Sequence, residues 1–138
     1  MRREITLQNN TQELPRLVAL IEALERDWAI PPEVAYALQL ALEEVVVNAM
    51  HYAYPPGERG EITVRIERQE ESICCTVEDA GIPFDPTRAS AANIDLEAEE
   101  RAIGGLGIHL ARAVMDQMSY CRQEGRNQLK LIKKTIRE

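Results

Sequence analysis

Residues 40–54, LALEEVVVNAMHYAY, restrict what this chain can fold into more than any other stretch. They are apolar almost all round, interrupted only by Glu43, Glu44, Asn48, His51 and the tyrosines. The run is opened upstream by Pro31-Pro32-Glu33 and stopped by Pro55-Pro56-Gly57. Proline is welcome at the first helical position and breaks a helix later, so one long helix is predicted from about Pro32 to Ala53. A helix without a wet face belongs in the middle of a fold, packed on a sheet. Glu44 and Asn48 are four apart and therefore share a face, one turn above the other. Burying a carboxylate and an amide is expensive unless something pairs with them. The pair either lies at a surface seam or faces a cleft that holds a cation and a polar ligand.

The remaining elements follow from periodicity. Arg3 to Gln8 alternates and predicts a short edge strand. Leu14, Leu17, Val18, Ile21, Leu24 and Trp28 form a helical stripe over Thr11 to Trp28, capped by Asn10 or Thr11. Pro15 predicts that regular helix begins late. Ile62, Val64 and Ile66, then Ile73, Cys75 and Val77, alternate with polar residues and predict two strands, Glu61 to Arg68 and Ser72 to Glu78, joined as a hairpin. A long segment with no strong apolar period follows from Pro86 to Ile103, with room for a short helix in 96–102. Loops of this length inside a domain are usually functional lids or disordered links. A helix with a Leu106, Leu110, Val114, Met118 stripe is expected to run through about Met118. A closing strand pair is expected at Tyr120 to Gln123 and Gln128 to Ile136, turning at Gly125-Arg126-Asn127.

One domain suits 138 residues, and 45% hydrophobic content is enough for a core. The element order predicts an α+β sandwich, a mixed, mostly antiparallel sheet covered on one face by about three helices. A formal charge of −7 weighs against nonspecific nucleic-acid binding. The basic end at Lys130, Lys133, Lys134 and Arg137 reads as a solvated face. Cys74, Cys75 and Cys121 lack the spacing of a zinc site, and an odd number of thiols fits a reducing cytosol. No signal peptide and no apolar run long enough to span a membrane is expected.

Two further stretches carry glycine. Asp79-Ala80-Gly81-Ile82-Pro83-Phe84-Asp85 breaks the second strand. Asp-x-Gly is a common turn. It also offers a carboxylate to a polar ligand, a glycine that keeps a side chain out of the way, and Ile82 and Phe84 as apolar cover for a flat ring. Gly104-Gly105-Leu106-Gly107 opens a helix, where free N–H groups attract an anion. It has neither the lysine and hydroxyl of a P-loop nor the feeding strand of a Rossmann fingerprint.

Taken in order, Glu44-x-x-x-Asn48, Asp79-x-Gly81-x-Pro83-Phe84-Asp85 and Gly104-Gly105-Leu106-Gly107 resemble the N, G1 and G2 boxes of the GHKL ATPases, a superfamily that includes gyrase, histidine kinases and MutL. ALEEVVVNAMHYAY and GGLGIHLARAVMD look most like its smallest branch, the bacterial anti-sigma-factor serine kinases of the RsbW and SpoIIAB type. The resemblance spans about Pro32 to Lys133 and implies the Bergerat fold, with ATP and Mg²⁺ as its ligands. Asn48 would supply an oxygen to Mg²⁺. Glu44 would be the general base. Asp79 would bind the adenine amino group and Gly81 would leave room for the base. Phe84 would cover the ring, and Gly104, Gly105, Leu106 and Gly107 would hold the phosphates through backbone N–H groups. Residues 86–103 would form the ATP lid.

The chain departs from the family in two places. A histidine often stands four residues after the box asparagine, but Tyr52 holds that position and His51 precedes it. The arginine that often approaches the phosphates has no direct match, and Arg88 and Arg101 are its candidates; without either, transfer would be slow.

The branch implies a cytoplasmic, dimeric serine kinase. Its substrate would be a STAS-type anti-anti-sigma protein, and it would bind in turn a sigma factor or other regulator. The length leaves no room for a phosphoacceptor domain and argues against gyrase or MutL. Two other readings stay open: a regulatory module in which ATP only orders the lid, and a stand-alone histidine-kinase catalytic domain. Glu44 favours catalysis, since a pure binder has no use for a carboxylate there.

Overall fold

The computed structural model describes residues 1–87 and 106–135. Strand β1, Arg2–Gln8, leads through a 3-10 turn, Thr11–Glu13, into helix α1, Leu14–Asp27. Asn10 accepts from the Gln12 N–H at 2.9 Å and caps the turn. Pro15 falls in the first turn of α1, which explains why regular helix starts only at Leu14. At the far end Ala29 takes φ 51°, and Ile30 N–H donates to the Glu25 carbonyl at 3.1 Å. This is a left-handed helix stop with alanine where glycine is usual.

Helix α2, Pro32–Tyr52, is the central helix expected from residues 40–54. Strands β2, Glu61–Arg68, and β3, Ser72–Asp79, form the expected hairpin. Helix α3, Leu106–Val114, and strands β4, Gln117–Gln123, and β5, Arg126–Lys134, complete the fold. The sheet order is β1-β2-β3-β5-β4. All four pairings among the described residues are antiparallel, so there the α+β sandwich stands without the parallel pair that a mixed sheet would include.

One face of the sheet carries the core. Leu7, Ile62, Val64, Ile66, Ile73, Cys75, Val77, Leu129 and Leu131 are buried in a single cluster with Leu17, Ile21 and Leu24 of α1, Leu38, Leu42, Val45 and Val46 of α2, and Ala111 of α3. Alternation along each strand sends the other set of side chains outward. Cys75 belongs to the core set, and burial pushes its thiol pKa up. The three cysteines are free.

The third helix departs from expectation. It ends at Val114, Met118 lies in β4, and Leu110 is 48% exposed. Ala111 is buried in its place, with Met115 buried just past the helix end. Contacts distant in sequence stop it: Lys133 Nζ donates to the Val114 carbonyl at 2.8 Å, and Asp116 N–H enters the sheet on Ile132 O at 2.9 Å. The last hairpin also turns earlier than expected. Glu124 and Gly125 have φ 51° and 76°, the two positive angles of a type I′ turn. Strand β5 therefore begins at Arg126, and Asn127 lies within it, opposite Asp79.

On the outer face Glu78 collects Arg65 at 3.0 Å, Arg126 at 3.0 Å and Gln128 at 2.7 Å. Burial pushes its carboxyl up, but hydrogen bonds from Arg65 and Gln128 and the charges of Arg65 and Arg126 outweigh it. The net pKa lies below the ordinary 4.5. A depressed folded pKa gives stability that is full above the unfolded value and is lost as pH falls through the folded one. Thermal melts from about pH 6 to about pH 3 should therefore show the wild type losing more stability than Glu78→Gln over that interval. Parallel curves would mean that the cluster contributes nothing net.

Candidate functional site

Asp79 is the last residue of β3 and Asn127 the second of β5; they face each other across the ladder. Both follow the alternation that buries Val77 and Leu129, so both point to the helix side of the sheet. There the C-terminal half of α2 crosses above them. A cleft lies between, lined by Val45, Asn48 and Ala49 of α2, Val77 and Asp79 of β3, Tyr120 of β4, Asn127 and Leu129 of β5, and Phe84 and Pro86 from the loop after β3. Its walls are mostly apolar, with a few convergent polar groups, which is the ordinary make-up of a small-molecule site.

Asn48 is 3% exposed. Among the described residues no hydrogen bond reaches its side-chain amide. Leaving such a group buried and unpaired costs about 1–3 kcal/mol. A buried amide aimed into a cleft without a protein partner calls for a ligand. Its oxygen suits a hard divalent cation, which prefers oxygen and keeps most of its shell for water and phosphate. Among the described residues no three His, Cys, Asp or Glu side chains converge as a metal cage. A cation here would therefore be held by Asn48 together with the ligand's own oxygens.

Asp79 is 6% exposed. Its Oδ1 accepts from the Gly81 N–H and from Asn127 Nδ2, each at 2.9 Å. Burial raises its carboxyl above the ordinary range, while those two hydrogen bonds and the charges of Arg122 and Arg126 pull it back in part.

Gly81 has a role in the structure other than room for a ring. A Cβ there would lie 2.0 Å from the Ala53 carbonyl oxygen, at the end of α2. Ile82 N–H donates to that same oxygen at 2.8 Å. The glycine lets the loop press directly against the helix end. Tyr54 secures the same corner: its hydroxyl accepts from Ala80 N–H at 3.0 Å and donates to Glu61 O at 2.7 Å.

Phe84 lines the cleft, with its ring centroid 5.5 Å from that of Tyr52 at 34°. Ile82 does not supply the expected second apolar cover; it is 55% exposed and contributes its carbonyl to Asn127. Glu44 is half-buried, one turn before Asn48 on the same face of α2, and is not among the residues lining the cleft. His51 is exposed and lines a separate polar groove with Asn9, Thr11 and Arg59. Leu106 and Gly107 open α3, as the glycine stretch predicts. Gly104, Gly105, Arg88, Arg101 and most of the segment expected as a lid lie outside the described residues.

Sequence reasoning missed Asn127 and Tyr120. Asn127 is 5% exposed, and Tyr120 donates to its oxygen at 2.5 Å. Gly125 was the available signal: a two-residue turn over Glu124-Gly125 moves Asn127 into the strand.

The chain is similar to known proteins along most of its length. A serine/threonine-protein kinase of Bordetella bronchiseptica, BtrW, is 28% identical over 109 residues, covering 79% of this chain and 75% of its own. The serine-protein kinase RsbW of Listeria innocua is 34% identical over 92 residues, 64% of this chain and 59% of its own. Among solved structures, the RsbU and RsbW domains of Rv1364c from Mycobacterium tuberculosis share the fold, with a TM-score of 0.70 at 16% identity, over 100% of this chain and 33% of that one. Among the described residues no helix is long and apolar enough to cross a membrane. The family model described as a histidine kinase-like ATPase domain matches residues 7–133, and with the cleft between its central helix and sheet the chain belongs to that family.

Proposed function

We propose that this chain binds ATP with Mg²⁺ in the cleft and transfers the γ-phosphoryl group to a serine of a STAS-type anti-anti-sigma protein. The observation that carries the reading is Asn48, a buried amide with no partner among the described residues, lining the same cleft as the recessed carboxylate of Asp79. One end of the cleft suits a cation and the other suits a donor on a flat ring. The names of the relatives, serine kinases of the BtrW and RsbW kind, support the reaction class.

In this reading the base enters between Phe84 and the apolar wall of Val45, Val77 and Leu129, and its amino group donates to Asp79. Asn48 gives its oxygen to the cation at the phosphate end. Mg²⁺, when bound, neutralises charge that develops on the phosphates. Glu44, one turn toward the start of α2, takes the proton from the serine hydroxyl. The serine oxygen then bonds to the γ-phosphorus as the bond to the bridging oxygen breaks, and ADP leaves. Backbone N–H groups of residues 104–107 hold the phosphates, Arg101 or Arg88 meets the γ-phosphate, and residues 86–103 close over the nucleotide. The protein works in the cytoplasm as a homodimer. It alternates between the STAS protein and a second regulator such as a sigma factor.

The test incubates the chain, Mg²⁺ and γ-labelled ATP with a STAS protein bearing the acceptor serine. Acid-stable label on that serine is the expected result. Acid-labile label would move the activity to a histidine acceptor. ATP binding with no labelled product would leave a regulatory module in which nucleotide only orders the fold.

A further inference from the structure

The side chain that the proposed chemistry does not use, yet which has the most hydrogen bonds in the cleft, is Asn127. Its Nδ2 donates to Asp79 Oδ1 at 2.9 Å and to Ile82 O at 2.7 Å. Its Oδ1 accepts from Phe84 N–H at 3.3 Å, Arg122 Nη1 at 3.1 Å and the Tyr120 hydroxyl at 2.5 Å. An ionised carboxylate and a carbonyl only accept, and a backbone N–H and a guanidinium only donate. The amide therefore has one workable orientation, dictated by four of its five partners.

We propose that Asn127 is the positioning residue that makes this cleft select a ring bearing an exocyclic amino group. By taking Oδ1 of Asp79 together with the Gly81 N–H, it stops the carboxylate from rotating. Among the described residues no hydrogen bond reaches the other oxygen, Oδ2. A single anionic acceptor is thus held in a largely apolar cleft. A ring amino group satisfies it, whereas a ring carbonyl oxygen or a bare C–H leaves it buried and unpaired. The same amide grips Ile82 O and Phe84 N–H, so it also sets the loop that carries the covering ring. Arg122 ties the arrangement from the far strand through Gly81 O at 2.8 Å. One side chain thereby fixes both the edge contact and the face contact of the base.

The inference rests on the reading that ATP occupies the cleft base-first, and the experiment separates the two. Calorimetric titration of the full chain compares ATP with a purine nucleoside triphosphate lacking the exocyclic amino group. Wild type should favour ATP by about tenfold or more, since a charge-assisted hydrogen bond distinguishes the two. Absence of ATP binding in wild type would sink the ATP reading itself. In Asn127→Leu, which has similar bulk and no donor, both nucleotides lose the cover that the held loop gives, but ATP affinity should fall by about tenfold more than that of the amino-free nucleotide. The preference collapses. A packing role alone would weaken both ligands equally, and an unchanged ratio in the folded variant overturns the proposal. Should Asn127→Leu fail to fold, Asn127→Asp decides. It keeps acceptors for Phe84 N–H, Arg122 and Tyr120 but faces Asp79 with a second carboxyl group. The same loss of preference is expected, and a retained wild-type ratio counts against the role.

Discussion

Replacing Glu44 by alanine should lower the rate of phosphoryl transfer by about a hundredfold to ten-thousandfold, the usual worth of a positioned general base. ATP affinity should stay within about threefold of wild type, because no binding contact is removed. The split follows from where the residue lies. Glu44 shares the face of α2 that carries Asn48, one turn earlier, and does not line the cleft. The proposed mechanism has it meet the serine hydroxyl at the phosphate end and leaves the base to Asp79. Single-turnover transfer to the STAS serine, measured beside equilibrium titration with ATP, reads the two effects separately. Glu44→Gln should be as slow as Glu44→Ala, since the amide keeps the shape and loses the basicity. Transfer at the wild-type rate in either variant would remove Glu44 from the mechanism.

The second large effect is on stability. Gly81→Ala should cost about 1–3 kcal/mol, the range for forcing atoms into a packed site. A Cβ at this position meets the Ala53 carbonyl oxygen at 2.0 Å and its carbon at 2.6 Å. Both are backbone atoms at the end of a long helix, so neither can swing away as a flexible side chain would. Relief requires the loop to withdraw from α2, which breaks the bond from Ile82 N–H to Ala53 O. It also disturbs the turn in which Gly81 N–H holds Asp79. Urea denaturation should show a lower midpoint, and ATP affinity should fall with it. An unchanged midpoint would mean that the corner has slack that its close approach does not suggest.

The central features were legible because they are local. Residues 40–54 announce a buried helix by having no wet face, and α2 is that helix. The alternation of Ile62, Val64 and Ile66 with polar neighbours appears directly as the burial of β2. Asp79-x-Gly81 reads as a strand end that suits either a turn or a ligand, and the structure gives Asp79 both a turn and a place in the cleft. The errors come from contacts that cross the chain. Leu110 fits a helical stripe as well as Ala111 does, and only the packing against α2 puts Ala111 inside and Leu110 outside. Val114 ends its helix because Lys133, nineteen residues on, takes its carbonyl. Asn127 reads as a turn residue because asparagine two places after a glycine fits turn chemistry. Its place beside Asp79 depends on a register that no local pattern contains.

Strand β3 lies between β2 and β5, so both of its edges are hydrogen-bonded, while among the described residues β1 and β4 each leave one edge open. Opening of the sheet by fraying begins at its margins and reaches the middle strand last. The carboxylate proposed to read the base is therefore mounted on the middle strand of the sheet. Its counterpart on the opposite wall, Phe84, rides on a loop. The cleft thus pairs a wall anchored along both edges with a wall held through a connecting segment.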